Sequence, residues 1–265
     1  MDDLQLIIDL HKDGARQGPG GDDQTRLAVA LSGLQGQSNL RIADLGCGTG
    51  ASTRVLASEL HAHITAVDFL PEFLVRLADG VDRAGIAGRV TALEASMEAL
   101  PFAAEAYDAI WSEGAIYNMG FASGIAAWRK YLKPKGIIAV SELTWLSDRR
   151  PEELQAHWAE AYPEVDTASA KIGVLESSGF APLGYFPLPK HCWLDNYYRP
   201  LQQRFPAFLD RHDHSAAARD LVAAEEREIA LYEKHSDFVS YGFYIAQKLE
   251  PETRASMPRG GAADA

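Results

Sequence analysis

The stretch RIADLGCGTG, Arg41 to Gly50, decides how the rest of the chain is read. An apolar run ends in Asp44, and glycines follow at 46, 48 and 50 before a helical pattern resumes. Each glycine removes a Cβ, so the backbone can turn tightly and a ligand can approach the main chain. The spacing is G-x-G-x-G, not the dinucleotide G-x-G-x-x-G, and no Walker Lys-Ser/Thr pair follows. The next apolar stretch, Ile64–Asp68 (ITAVD), ends in a carboxylate that can accept hydrogen bonds from both hydroxyls of a ribose.

Outward from this loop, strand and helix patterns alternate. Strands are expected over Leu40–Leu45, Ile64–Phe69, Val90–Ala95, Tyr107–Ser112 and Ile137–Leu143. Helices are expected over Ala51–Leu60, Pro71–Ala84 and Gly124–Tyr131, the last closing at Lys133-Pro134-Lys135-Gly136. Such alternation calls for a parallel sheet with helices on both faces. After Trp145 the rhythm changes to helices over Pro151–Tyr162 and Thr167–Ser178, then a strand over Leu183–Leu188. A helical stretch follows from His191 to His235, and Tyr241–Leu249 reads as a final strand.

The expected fold is therefore α/β, a doubly wound, mostly parallel seven-stranded sheet with a helical insert near the C-terminus. Residues 1–35 are expected as N-terminal helices or a lid, 36–190 as the core, and 191–236 as a helical substrate cover. Residues 237–250 complete the core, and 251–265 read as a disordered tail.

The 265 residues are 47% hydrophobic with a formal net charge of −12. That balance argues against a phosphate-neutralising surface, so neither nucleic acid nor an anionic membrane is expected as a partner. Two cysteines, Cys47 and Cys192, lie far apart and suggest a reducing compartment, hence a cytoplasmic protein. The N-terminal sequence lacks the basic start and long apolar run of a signal peptide. A homodimer is compatible with the composition. His191-Cys192 and His212-x-His214 do not make a four-ligand set, so no metal is expected.

ADLGCGTG, AVDF, LEASMEALPF and YDAIWSEGAIYNMGF resemble the successive motifs of class I S-adenosylmethionine (SAM)-dependent methyltransferases. They are similar to the branch that includes the ubiquinone/menaquinone-type enzymes. IWSEGAIYN, with CWLDNYYRPL downstream, is similar to a narrower bacterial group of such enzymes. The resemblance implies a Rossmann-like methyltransferase fold with SAM as cofactor. Gly46, Gly48 and Gly50 would surround its methionine part and ribose, and Asp68 would hold the ribose hydroxyls. Phe69 or Leu70 would pack on the adenine, with Ser96 and Met97 at its edge. A frequent family pattern has Asp where Ser96 stands. Ser112 is counted with the cofactor residues, and Cys47 is read as a small filler.

Methyl transfer to N, O or S of a small acceptor needs alignment, exclusion of water and, for some acceptors, removal of a proton. Ligands of such sheets sit at the carboxyl ends of the strands. Glu113 and Tyr117 are the catalytic candidates there, sharing one face if the segment is helical. Trp145, Asp195, Tyr197 and Tyr198 are the substrate-side candidates, and Gln17–Gly20 is a candidate lid. Competing readings are a protein or RNA methyltransferase, a SAM-binding protein without catalysis, and an NAD-dependent oxidoreductase, the last disfavoured by the glycine spacing.

Overall fold

The computed structural model describes residues 3–250. Two helices, α1 (Asp3–His11) and α2 (Asp22–Ser32), precede the alternating half of the chain. That half comprises β1 (Leu40–Leu45), α3 (Ala51–Glu59), β2 (Ala62–Asp68), α4 (Pro71–Arg83), β3 (Val90–Glu94), β4 (Tyr107–Glu113), α5 (Phe121–Trp128) and β5 (Leu132–Trp145). There follow α6 (Glu152–Ala161), β6 (Asp166–Thr167), α7 (Ala168–Ser177) and β7 (Phe180–Pro187). Last come α8 (Lys190–Trp193), α9 (Arg199–Arg211), α10 (Ala216–His235) and β8 (Val239–Lys248).

The strands form one sheet in the order β3-β2-β1-β4-β5-β8-β7, with the two-residue β6 paired to the end of β5. β1 to β5 are parallel, and β8 lies antiparallel between β5 and β7. This is the expected doubly wound α/β sheet, with one short strand added. Alternate residues face opposite layers. Ile42, Ala139 and Ile245 enter one apolar cluster, while Ala43, Val140 and Tyr244 enter the other. Helices on both faces bury the central strands almost throughout, which is why these read as continuous apolar runs.

A third cluster sets the position of the site. Leu143 and Trp145, at the end of β5, pack with Leu6 and Leu10 of α1 and with Trp193, Tyr198, Phe208 and Tyr232 of the insert. Apolar burial thus draws both the N-terminal helix and the insert to the carboxyl ends of the strands.

Three departures from the sequence reading have physical causes in the fold. Helix α5 starts at Phe121, not Gly124, because Gly120 adopts φ 81° and the Phe121 N–H donates to the Glu164 carboxylate at 3.0 Å. A residue 43 positions away therefore supplies the cap. Strand β5 begins at Leu132, and the Lys133–Gly136 turn is a bulge: the register passes from Tyr107↔Leu132 to Ala109↔Ile137. The helical run from His191 is broken by a π-helical turn, Leu194–Tyr198. The expected tail, 251–265, lies outside the described residues.

Candidate functional site

The glycine loop leaves β1 with Gly46, Gly48 and Gly50 at φ 69°, 53° and 84°. A Cβ on Gly46 would lie 2.3 Å from the Ala115 Cβ, so the turn requires glycine for space as well as for φ. The N–H groups of Gly46 and Cys47 donate to the Val67 carbonyl at 2.8 and 3.0 Å, fixing the loop to β2. Asp68 completes the turn: its Oδ2 accepts from the Gly48 N–H at 2.9 Å and its Oδ1 from the Leu70 N–H at 3.0 Å. Burial pushes the Asp68 carboxyl up, opposed by those backbone donors. Beneath the loop, Asp44 Oδ2 accepts from Ser52 at 2.8 Å and Thr53 at 2.6 Å, which ties α3 to the end of β1. Asp44 is fully enclosed, and burial pushes its carboxyl up to about 7.

The loop borders a cavity of about 600 Å³, within the range of small-molecule sites. Gly46, Gly48, Asp68, Phe69, Ser96 and Met97 line one part of it. Glu113, Gly114, Tyr117 and Asn118 line another, beyond β4. The N-terminal segment supplies His11, Arg16, Gln17 and Pro19, and the insert supplies Tyr197 and Glu225. Phe69 is 56% exposed, an aromatic face left open beside Asp68. Gln17 reaches across the loop: its Oε1 accepts from the Thr49 N–H at 2.9 Å, while its amide donates to the Gly14 carbonyl at 2.9 Å.

Glu113 stands at the cavity wall with both oxygens engaged. Oε1 accepts from Thr25 Oγ1 at 2.7 Å and from Trp111 Nε1 at 3.0 Å, and Oε2 accepts from Arg16 at 3.0 Å. With both oxygens already engaged by a cation and two further donors, the carboxylate is a structural tie in this arrangement, which does not fit the expected general-base role. The expected shared face with Tyr117 is also absent. Gly114 turns at φ 63°, and Tyr117 belongs to a separate 3₁₀ turn, Ile116–Asn118.

Other expected site residues divide between the cavity and the interior. Gly50 caps α3 and faces Leu77, and Ser112 Oγ donates to the Leu45 carbonyl at 2.8 Å, a link between β4 and β1; neither lines the cavity. Trp145 is core, with the Arg150 guanidinium 4.7 Å above its ring. Asp195 pairs with Arg199 on the surface, and the buried Tyr198 donates to Glu228 at 2.8 Å. Only Tyr197 of that group faces the cavity, since the π-helical turn sends successive side chains in different directions. Burial and the charges of Glu225 and Glu228 push its phenol well above the ordinary range.

Cys47 is buried, and burial followed by the charges of Asp44 and Asp68 pushes its thiol well up, which fits a filler rather than a nucleophile. Among the described residues no group of three His, Cys, Asp and Glu side chains is arranged to hold a metal ion. His212 pairs with Asp9 and His214 with Asp210. No helix among them is long and apolar enough to cross a membrane. His11, Arg16 and Glu225 are cavity residues that no local pattern marks, because each reaches the cavity through contacts far away in the chain.

Residues 42–136 match the family model described as a methyltransferase domain. The glycine/sarcosine/dimethylglycine N-methyltransferase of Actinopolyspora halophila is 27% identical over 139 residues, 51% of this chain and 24% of that protein. The malonyl-[acyl-carrier protein] O-methyltransferase of Dechloromonas aromatica is 31% identical over 122 residues, 45% of this chain and 43% of that protein. The chain thus spans less than half the length of these two curated relatives. A SAM-dependent methyltransferase from Geobacter sulfurreducens, solved with S-adenosyl-L-homocysteine, superposes with a TM-score of 0.79 at 17% identity, covering 91% of this chain and 97% of that one. The fold is that of these Rossmann-like enzymes.

Proposed function

We propose that this chain is a SAM-dependent methyltransferase acting on a small molecule. The observation that carries the reading is Asp68: one carboxylate fixes the Gly48 turn and also faces the cavity. Its oxygens accept from the Gly48 and Leu70 N–H groups, and a carboxylate, with about four lone-pair sites, keeps acceptor capacity for the hydroxyls of a ribose. Phe69 offers a face for the adenine, and Ser96 and Met97 border the same part of the cavity. The left-handed glycines bring main chain, not side chains, to the wall. These residues fit SAM, which supplies an electrophilic methyl group on a sulfonium.

The chain's own contribution is enclosure and alignment. Gln17 and Arg16 hold the N-terminal segment against the glycine loop and β4, acting as a lid that excludes water. Tyr117, Tyr197 and their neighbours form the acceptor side, with the 191–236 insert as its cover. The acceptor atom is N, O or S, in keeping with relatives that include an N- and an O-methyltransferase. A concave cavity of about 600 Å³ and a net charge of −12 favour a small molecule over protein or RNA. We read the motifs as nearest the ubiquinone/menaquinone-type branch, and the buried, unpaired cysteines as suited to the cytoplasm.

Calorimetry tests the reading. S-adenosylhomocysteine should bind with micromolar affinity, about 8 kcal/mol. Tight NAD binding without any heat from S-adenosylhomocysteine would overturn it.

A further inference from the structure

His11 closes the last turn of α1, where the helix dipole favours positive charge. It is 7% exposed and lines the same cavity as the glycine loop. Its Nε2 lies 3.6 Å from Glu225 Oε1 on α10, and its ring stacks on Tyr197 with centroids 6.2 Å apart. Its Nδ1 is buried without a hydrogen-bond partner. A buried polar nitrogen left unpaired is uncommon and calls for an explanation. A carboxylate behind one ring nitrogen and an unpartnered nitrogen on the other side is the arrangement by which an imidazole takes up a proton.

We propose that His11, oriented by Glu225, takes the proton of the methyl acceptor, and that the acceptor is therefore a protic amine or hydroxyl compound. The inference rests on the methyltransferase reading above. In the step, the acceptor's N–H or O–H bond breaks and its electron pair stays on the heteroatom. A lone pair on that atom forms the new bond to carbon, and the proton goes to Nδ1 of His11. The carbon–sulfur bond breaks with its pair on sulfur, so the positive charge leaves sulfur and passes to the imidazolium, where Glu225 balances it. A thioether acceptor, which has no proton to lose, gains nothing from this pair. His11 is the catalytic residue and Glu225 a positioning residue.

Charged groups lie on each element packed against His11. Glu225 and, behind Tyr198, Glu228 approach from α10; Arg204, Arg211 and His212 approach from α9. Tyr197 lies against the ring, and Asp9, Lys12, Asp13 and Arg16 belong to α1 and the segment that follows it.

The test uses the full chain loaded with S-adenosylhomocysteine, with phenol and benzylamine as protic probes and thioanisole as the proton-free one. In histidine-labelled protein the His11 NMR signal, identified by its loss in H11N, should move with either protic probe and stay in place with thioanisole. With labelled SAM, phenol or benzylamine should be methylated. H11N should lower that rate about 10²–10⁴-fold and E225Q about tenfold, with unchanged S-adenosylhomocysteine affinity. A His11 signal indifferent to both protic probes, or no transfer to either while S-adenosylhomocysteine still binds, overturns the proposal. So does a wild-type rate in H11N. Loss of S-adenosylhomocysteine binding by the unaltered chain strikes instead at the cofactor reading.

Discussion

Arg16 and Glu113, 97 positions apart, meet at 3.0 Å and fasten the segment after α1 to the end of β4. Both side chains are mostly buried, at 11% and 8% exposure, so their attraction is little screened. Arg16 also reaches Asp22 at 3.0 Å, which ties the segment to the start of α2.

Breaking this pair should loosen the cofactor side without stopping chemistry. Removing one partner leaves the other charge buried, a cost on the scale of 3–5 kcal/mol. R16A and E113Q should weaken S-adenosylhomocysteine binding at least tenfold and speed proteolysis within residues 13–21. Turnover at saturating SAM should stay within about threefold. A fall of 10²-fold or more in E113Q at saturation would restore Glu113 as a base.

Asp68→Ala should weaken S-adenosylhomocysteine by roughly 1.5–3 kcal/mol, the scale of hydrogen bonds to a charged group. The same change frees the Gly48 N–H, so calorimetry should show a larger unfavourable entropy of binding. Affinity equal to wild type would remove Asp68 from the cofactor site.

Gly50→Ala should act on stability. Its φ of 84° strains any side chain, and the new Cβ would sit 2.1 Å from Leu77 Cδ1 in the core. The combined cost is about 2–4 kcal/mol, which for a chain of this size lowers the melting temperature by roughly 5–15 °C. An unchanged thermal midpoint would contradict the packing described for the loop.

Glu142 predicts a pH dependence. It is buried on β5, its Oε1 accepts from the Leu143 N–H at 2.5 Å, and Oε2 has no partner. Burial, opposed by the Lys171 charge, pushes its carboxyl from 4.5 up to about 7. The folded state therefore holds this proton more tightly than the unfolded chain. The cost of ionisation is absent below about pH 4.5, grows up to about pH 7 and is complete above it. E142Q should match wild type near pH 4 and exceed it at pH 8 by roughly 3–4 kcal/mol in urea unfolding.

The parts of this protein that local chemistry dictates were legible in its sequence. β1 was read to the residue, and Gly46, Gly48 and Asp68 meet at one cavity. Buried parallel strands announce themselves as apolar runs, and left-handed turns as glycines. What escaped depends on partners distant in sequence. Phe121 begins a helix because of Glu164, and His11 faces the cavity because Leu6 and Leu10 pack on the insert. Asp195, Tyr197 and Tyr198 looked equivalent in CWLDNYY, yet a π-helical turn sends one to the surface, one to the cavity and one to the interior. No periodicity in the sequence marks such a turn.

The insert leaves β7 and rejoins β8 at facing positions: Pro187 pairs with Gly242, and the Leu188 N–H donates to the Tyr241 carbonyl at 2.8 Å. In effect it is the loop of a β-hairpin, grown to hold three helices. Because its ends are fixed side by side, the closure entropy rises only with the logarithm of its length, about 0.6 kcal/mol for each doubling. Such a cassette can be lengthened, shortened or exchanged while the register of the sheet, and with it Asp68 and the glycine loop, stays as it is. The wall that Tyr197 and Glu225 present to the cavity thus rides on one exchangeable cassette, while the glycine loop and Asp68 of the opposite wall belong to the sheet.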